Sequence, residues 1–198
     1  MIRKILAAGA FLAVGILSGC ALTTDHIDLK YSPQQGVSKM PEASNIAVNV
    51  KVIDQRQDKS KVSTKKNGYG MEMAHILANE DVAITVRKAI EQELSARGFQ
   101  TGTDAAIVQI NADLIRFYND HKVGFFSGNA VADLNMSVSV KSKDGALLYA
   151  HQVIAQGTEA NTQLMSGENA KLALNRALVN GMQSLFNDKA FLSALISA

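Results

Sequence analysis

The stretch IVQINADLIRFYNDHKVGFFSGNAVADLNMSVSVKS, residues 107–142, decides the fold. Its first part sets Val108, Ile110, Ala112 and Leu114 in alternation with Gln109, Asn111 and Asp113. Its last part sets Ala132, Leu134, Met136, Val138 and Val140 against Asp133, Asn135, Ser137 and Ser139. Successive strand side chains point to opposite faces, so a period of two means one apolar and one wetted sheet face. The two runs, joined by YNDHKVGFFSGN (118–129), therefore predict a pair of long strands with a long hairpin connection. KDGA at 143–146 is a tight-turn signal, which makes LLYAHQVIAQG (147–157) a third antiparallel strand.

On either side the period changes. Ala170, Ala173, Leu174, Ala177, Leu178, Gly181, Met182 and Leu185 recur at helical spacing, and AFLSALIS (190–197) adds a last helical turn. Upstream, Val82, Val86, Ala89, Ile90 and Leu94 form another helical stripe, with Asn79 as the expected N-cap and Gly98 placed to end the helix. Before it, NIAVNVKVID (45–54) alternates as a strand, while QRQDKSKVSTKKNGYG (55–70) reads as a polar, lysine-rich loop. The order is strand, helix, three strands, helix. This predicts an α+β two-layer sandwich: a mostly antiparallel sheet, both helices on one face, and a single globular domain over 45–198.

The beginning of the chain follows other rules. Arg3 and Lys4 precede ILAAGAFLAVGIL (5–17), an uncharged run too short for the roughly 20 residues that span a bilayer as a helix. A basic head, a short apolar run and a small-residue end mark a signal peptide over 1–19. The end, LSGC (17–20), looks like a bacterial lipobox, so Cys20, the single cysteine, is the expected lipid attachment point, carrying diacylglycerol and an N-acyl chain. One acyl chain holds weakly and two or more hold stably. Ala21, rather than an aspartate, points to the outer membrane with the domain facing the periplasm. Residues 20–44 are polar, contain both prolines and show no sustained period, which predicts a flexible tether with a short extended segment at HIDLKYS (26–32).

Twenty basic against eighteen acidic side chains give a formal charge of +2, and setting aside Arg3 and Lys4 with the signal leaves the two in balance. Nothing in that balance suggests a nucleic-acid partner. Catalytic patterns are also missing. His26, His75, His121 and His151 each stand alone, there is no HExxH or GxSxG, and a lipidated Cys20 is no nucleophile. Neither GYG (68–70) nor GFFSG (124–128) leads from a strand into a helix as a phosphate cradle does. The expectation is a non-enzyme, with neither metal nor cofactor beyond the covalent lipid.

The lipobox, a first strand closing on VIDQRQD, a helix ending IEQELSARGF, the strand IVQINADLIRFY and the alanine-rich last helix together resemble the YajG-type lipoproteins. That resemblance implies an outer-membrane lipoprotein with no established activity. At the level of fold the domain also looks like LpoB and the TolB amino-terminal domain, which work by binding partner proteins. Such a likeness is analogy and does not itself assign function.

Three features are candidate contact surfaces. Asp54, Arg56 and Asp58 in DQRQD form either a local turn network or a polar recognition edge. Lys59, Lys61, Lys65 and Lys66 make either a solvated loop or an attraction site for anionic headgroups or an acidic protein. Phe125 and Phe126, being adjacent, cannot both enter one core from a strand; either one packs under the sheet or the pair forms an apolar tip for a partner or lipid. The sequence-level expectation is a lipid-anchored accessory or scaffold that binds an envelope protein or cell-wall partner. The alternative is a carrier holding a small apolar ligand between helices and sheet, in a cavity lined by Met136, Leu178 and Met182.

Overall fold

The computed structural model describes residues 23–67, 69–102, 106–124 and 127–198. Cys20 with the expected signal peptide, and Phe125 with Phe126, lie outside the described residues. The strands are β1 (Asp25–Ile27), β2 (Ala47–Asp54), β3 (Ser63–Lys66), β4 (Glu72–Ala78), β5 (Gln100–Thr101), β6 (Val108–Lys122), β7 (Gly128–Ser142) and β8 (Leu147–Thr162). The helices are α1 (Val82–Ala96), α2 (Gly167–Phe186) and α3 (Lys189–Ile196), with a 3-10 turn at Pro41–Asn45.

The fold is α+β, as the periodicity requires. β6, β7 and β8 pair antiparallel in the expected manner, with Ile110 opposite Val140, and Leu114 opposite Met136, which faces Val153. The strand content and pairing differ from expectation. There are two mixed sheets, one ordered β5-β2-β6-β7-β8 and the other β1-β4-β3. β2 runs parallel to β6, from Val48 opposite Val108 to Asp54 opposite Leu114, and parallel to β5. The reason is connectivity. The chain passes through α1 between β2 and β6, and such a crossover returns the next strand parallel to the first.

One core cluster joins the inward positions of β2, β6 and β7 to the apolar stripes of α1, α2 and α3. α2 lies so close to β8 that a Cβ on Gly157 would come within 2.2 Å of the backbone of Ala173 and Ala177. Met136, Leu178 and Met182, the residues that would line an apolar ligand cavity, are fully buried in that cluster. On this face of the sheet α2 packs down onto the strands, with Gly181 against Leu134.

Several local features correct the sequence reading. α1 is capped by Asp81, whose carboxylate accepts from the Ala83 N–H at 2.8 Å, and not by Asn79, whose side chain donates to Asp28 instead. Gly98 does end α1, at φ +96°, where a side chain would be strained. The segment read as a polar loop folds in part into β3, which pairs antiparallel with β4, Ser63 opposite Ile76.

From Asp25 onward the expected tether is part of the fold. β1 pairs parallel with β4, Ile27 is buried, and the Tyr31 hydroxyl donates to Glu93. Glu93 also accepts from the Gln34 N–H at 2.8 Å and pairs with Arg97, which lies 4.6 Å from the centre of the Phe186 ring. Burial alone would raise the Glu93 carboxyl pKa, but the bonds from Tyr31, Gln34 and Arg97 hold it below the usual carboxylate range. No apolar period announces this attachment, because it is made largely by polar side chains.

Candidate functional site

β2 delivers Asp54 to its carboxyl end, and the chain turns there so that Arg56 folds back. The Asp54 carboxylate accepts from the Arg56 backbone N–H at 3.0 Å, from Nε at 3.1 and 3.2 Å, and from Nη2 at 2.9 Å. The same guanidinium donates to the carbonyls of Lys59 (3.4 Å), Lys61 (3.1 Å) and Phe117 (3.3 Å). Arg56 is thus buried with its donors directed inward, and it ties the 55–62 segment to β6. Burial acts to raise the Asp54 pKa, and the bonds from Arg56 outweigh it and hold the carboxyl below its ordinary range. This is the turn network rather than a presented recognition edge. Asp58 stands apart from it: its carboxylate accepts from the Ser60 N–H at 2.9 Å and hydroxyl at 2.6 Å.

Three of the four lysines are engaged within the protein, and Lys59 is exposed on the loop. Lys65 is buried on β3, where its Nζ donates to the Asp25 carboxylate at 2.8 Å and the Thr23 carbonyl at 2.9 Å. Lys66 pairs with Asp120 at 2.8 Å, and Lys61 with Glu72 at 2.5 Å. The candidate residues therefore fall into two groups, Asp54, Arg56 and Asp58 at one end of the small sheet and Lys65 and Lys66 toward the other.

What the Asp54–Arg56 clamp shapes is a groove of about 620 Å³. It runs between the 55–62 segment and the first turn of α1. Val52, Val62, Leu77, Ala78 and Val82 contribute apolar surface, and Lys59, Ser60, Asn79 and Glu80 contribute polar groups. A second depression of about 440 Å³ lies beside the same clamp, lined by Gln57, Ile115, Arg116 and Tyr118 among others. Sequence reasoning found the clamp and missed the groove, because half of its wall, 77–83, comes from a segment distant in sequence. The lining thus mixes apolar and polar groups, with Asp54, Arg56, Lys61 and Asp81 adding charge, and such a mixture is compatible with a protein contact. Among the described residues, no group of three His, Cys, Asp or Glu side chains could hold a metal ion. No helix of the described residues is long and apolar enough to cross a membrane.

A family model described as "Uncharacterized lipoprotein" matches residues 33–196. The chain belongs to this lipoprotein family, the YajG type. No curated protein matches the lipoprotein in sequence. Among solved structures it is similar to a Xanthomonas campestris protein at 11% identity, covering 87% of this chain and 98% of that one with a TM-score of 0.58. An uncharacterized protein is similar at 9% identity, 82% and 95% coverage and a TM-score of 0.51. A minor lipoprotein from Acinetobacter baumannii, at 6% identity, 74% and 94% coverage and a TM-score of 0.45, is too distant to carry an argument. At these identities the lipoprotein shares a fold with the first two and nothing finer.

Proposed function

We propose that this lipoprotein is an accessory module of the bacterial envelope, anchored through a lipid on Cys20 to the periplasmic side of the outer membrane, that acts by binding a protein or cell-wall partner. The observation that carries the reading is the groove beside α1. Its wall is fixed by a buried, fully bonded Arg56, so its shape is set before any partner arrives. Preorganisation of this kind lowers the ordering cost of association. The groove also lies at the far end of β4 from its hairpin turn, at Leu77 and Ala78. The carrier alternative loses ground because its nominated residues are packed in the core.

The test is photocrosslinking in intact cells. A photoreactive residue at position 59, on the groove rim, is expected to capture one envelope component. The same residue at position 143, in the far β7–β8 turn, is expected to capture none. Ala83→Arg, which fills the groove from the exposed side of α1, should abolish the product at 59. Equal capture at both positions, or capture that survives Ala83→Arg, refutes the groove. Mass spectrometry of the membrane-extracted protein checks the anchor separately: Cys20 should carry the diacylglyceryl and acyl masses, and Cys20→Ala should move the protein to the soluble fraction.

A further inference from the structure

The two hairpin turns and the start of the chain meet at one end of the molecule. β3 and β6 run side by side: the Asn119 N–H donates to the Val62 carbonyl at 2.8 Å, its amide donates to the Ser63 hydroxyl at 2.9 Å, and Lys66 reaches Asp120. The β3–β4 turn, which follows Lys66, therefore lies beside the end of β6 at Lys122. β8 ends there too, since Thr162 pairs with Gly128, and the Lys66 N–H contacts the Met165 sulfur at 3.3 Å. This end exposes several large apolar side chains beside the exposed Lys122. Tyr69 is 92% exposed, Val123 75%, Leu164 74% and Met71 58%. They come from three separate connections, and exposed apolar groups gathered in this way mark a contact surface.

The chain entry says what the surface meets. β1 is parallel to β4 with Asp25 opposite Ile76, so the chain preceding Asp25 runs back past Ala74 toward the β3–β4 turn. The Thr23 carbonyl is already held by Lys65, whose backbone pairs with Ala74. Cys20 is three residues before Thr23, a reach of at most about 10 Å for extended chain. The described chain thus begins three residues after Cys20, with Thr23 held beside Lys65 on the strand that leads into the β3–β4 turn.

We propose that this end is a membrane-contact surface, with Tyr69, Met71, Val123 and Leu164 seated in the interfacial zone of the bilayer that holds the Cys20 lipid. The proposal rests on the anchor assigned above. Tyr69 suits the headgroup level, having an apolar ring and a polar tip. Lys65 and Lys66 are paired within the protein and the four exposed groups are uncharged, so the contact should hold without anionic lipid, exposed Lys122 adding only a salt-sensitive increment.

The chain contains no tryptophan, so one introduced indole reports its own position. The full lipidated protein carrying Tyr69→Trp would be reconstituted in vesicles of neutral phosphatidylcholine containing brominated acyl chains. Lys143→Trp, at the opposite end of the fifteen-residue β7, serves as the reference. Quenching of the residue-69 indole at least about threefold above the reference, retained in 0.5 M salt at about that level, is the expected result for an apolar interfacial contact. Equal quenching at both positions, with iodide reaching both from water, overturns the proposal provided that mass spectrometry shows the lipid on Cys20. Protection at position 69 in native membranes but not in pure lipid also overturns it, in favour of a protein partner. An unmodified Cys20 overturns instead the anchor reading on which the surface depends.

Discussion

At the scale of single residues, stability depends on charged groups that the fold has enclosed and paired. Arg56→Ala would leave the Asp54 carboxylate and the Lys61 and Phe117 carbonyls without their donor. Breaking a buried pair from one side costs about 3–5 kcal/mol, and Arg56→Lys should recover only part, because an ammonium cannot reproduce the fork. Chemical denaturation of both variants checks the order. His121 makes a second prediction. It is buried with neither ring nitrogen bonded among the described residues, and burial, with Lys66 and Lys65 nearby, outweighs the opposing effect of Asp120 and lowers its pKa from 6.5 to about 4. The unfolded chain binds the proton more readily, so stability is full above about pH 6.5 and falls on acidification toward pH 4. After solvent screening is allowed for, the loss should be on the order of 2 kcal/mol. His121→Phe should flatten the thermal unfolding profile across that window. Glu93 and Asp54, whose pKa values are depressed, act at lower pH: their contributions are present above the carboxylate range and vanish below it.

At the scale of elements, the helix–sheet interface distinguishes two glycines. A Cβ at Gly157 would meet the α2 backbone at 2.2 Å, whereas one at Gly181 would meet the end of the Leu134 side chain at 2.4 Å. A flexible side chain can move and a helix backbone cannot. Gly157→Ala should therefore cost about 3 kcal/mol or more and Gly181→Ala roughly 1 kcal/mol, measured by denaturant unfolding. The N-terminal segment gives another test. Glu93→Ala removes the acceptor shared by Tyr31 and Gln34, so limited proteolysis should cut faster near Gln34 and Gly36 while the β6–β8 core stays resistant. The long strands and both main helices are legible in sequence because each buries one face and keeps a clean period. β3 is not: Ser63, Thr64 and Lys65 are buried polar residues that hydrophobic patterning reads as loop. The Asn67 turn between Thr64–Lys66 and the alternating MEMAHIL (71–77) was the available signal for that hairpin.

At the scale of the whole molecule, the proposed anchor and apolar end together predict a fixed placement on the membrane. A true tether over 20–44 would let the domain sample tens of ångströms; a fold that starts at Thr23 and Asp25 does not. Inserting twenty Gly/Ser residues after Ala21 gives a linker with a root-mean-square span of about 25 Å. Lipidation should survive, while brominated-lipid quenching of an indole at position 69 should fall as the effective concentration of the surface drops. The groove at Leu77 and Ala78 should be unaffected, since it lies at the other end of β4.

By itself the sequence determined the α+β class, the β6–β8 antiparallel strands, the two amphipathic helices and the Asp54–Arg56 cluster. All of these are set by local period or by motifs a few residues long. Tertiary structure alone decided that β2 is parallel to β6, that residues from Asp25 belong to the domain, that Lys61, Lys65 and Lys66 are paired with carboxylates, and that a groove forms beside α1. Each of these depends on pairing between distant segments. Polar and charged groups make much of that pairing, and whether such a group is solvated or enclosed depends on where its partner lies in three dimensions.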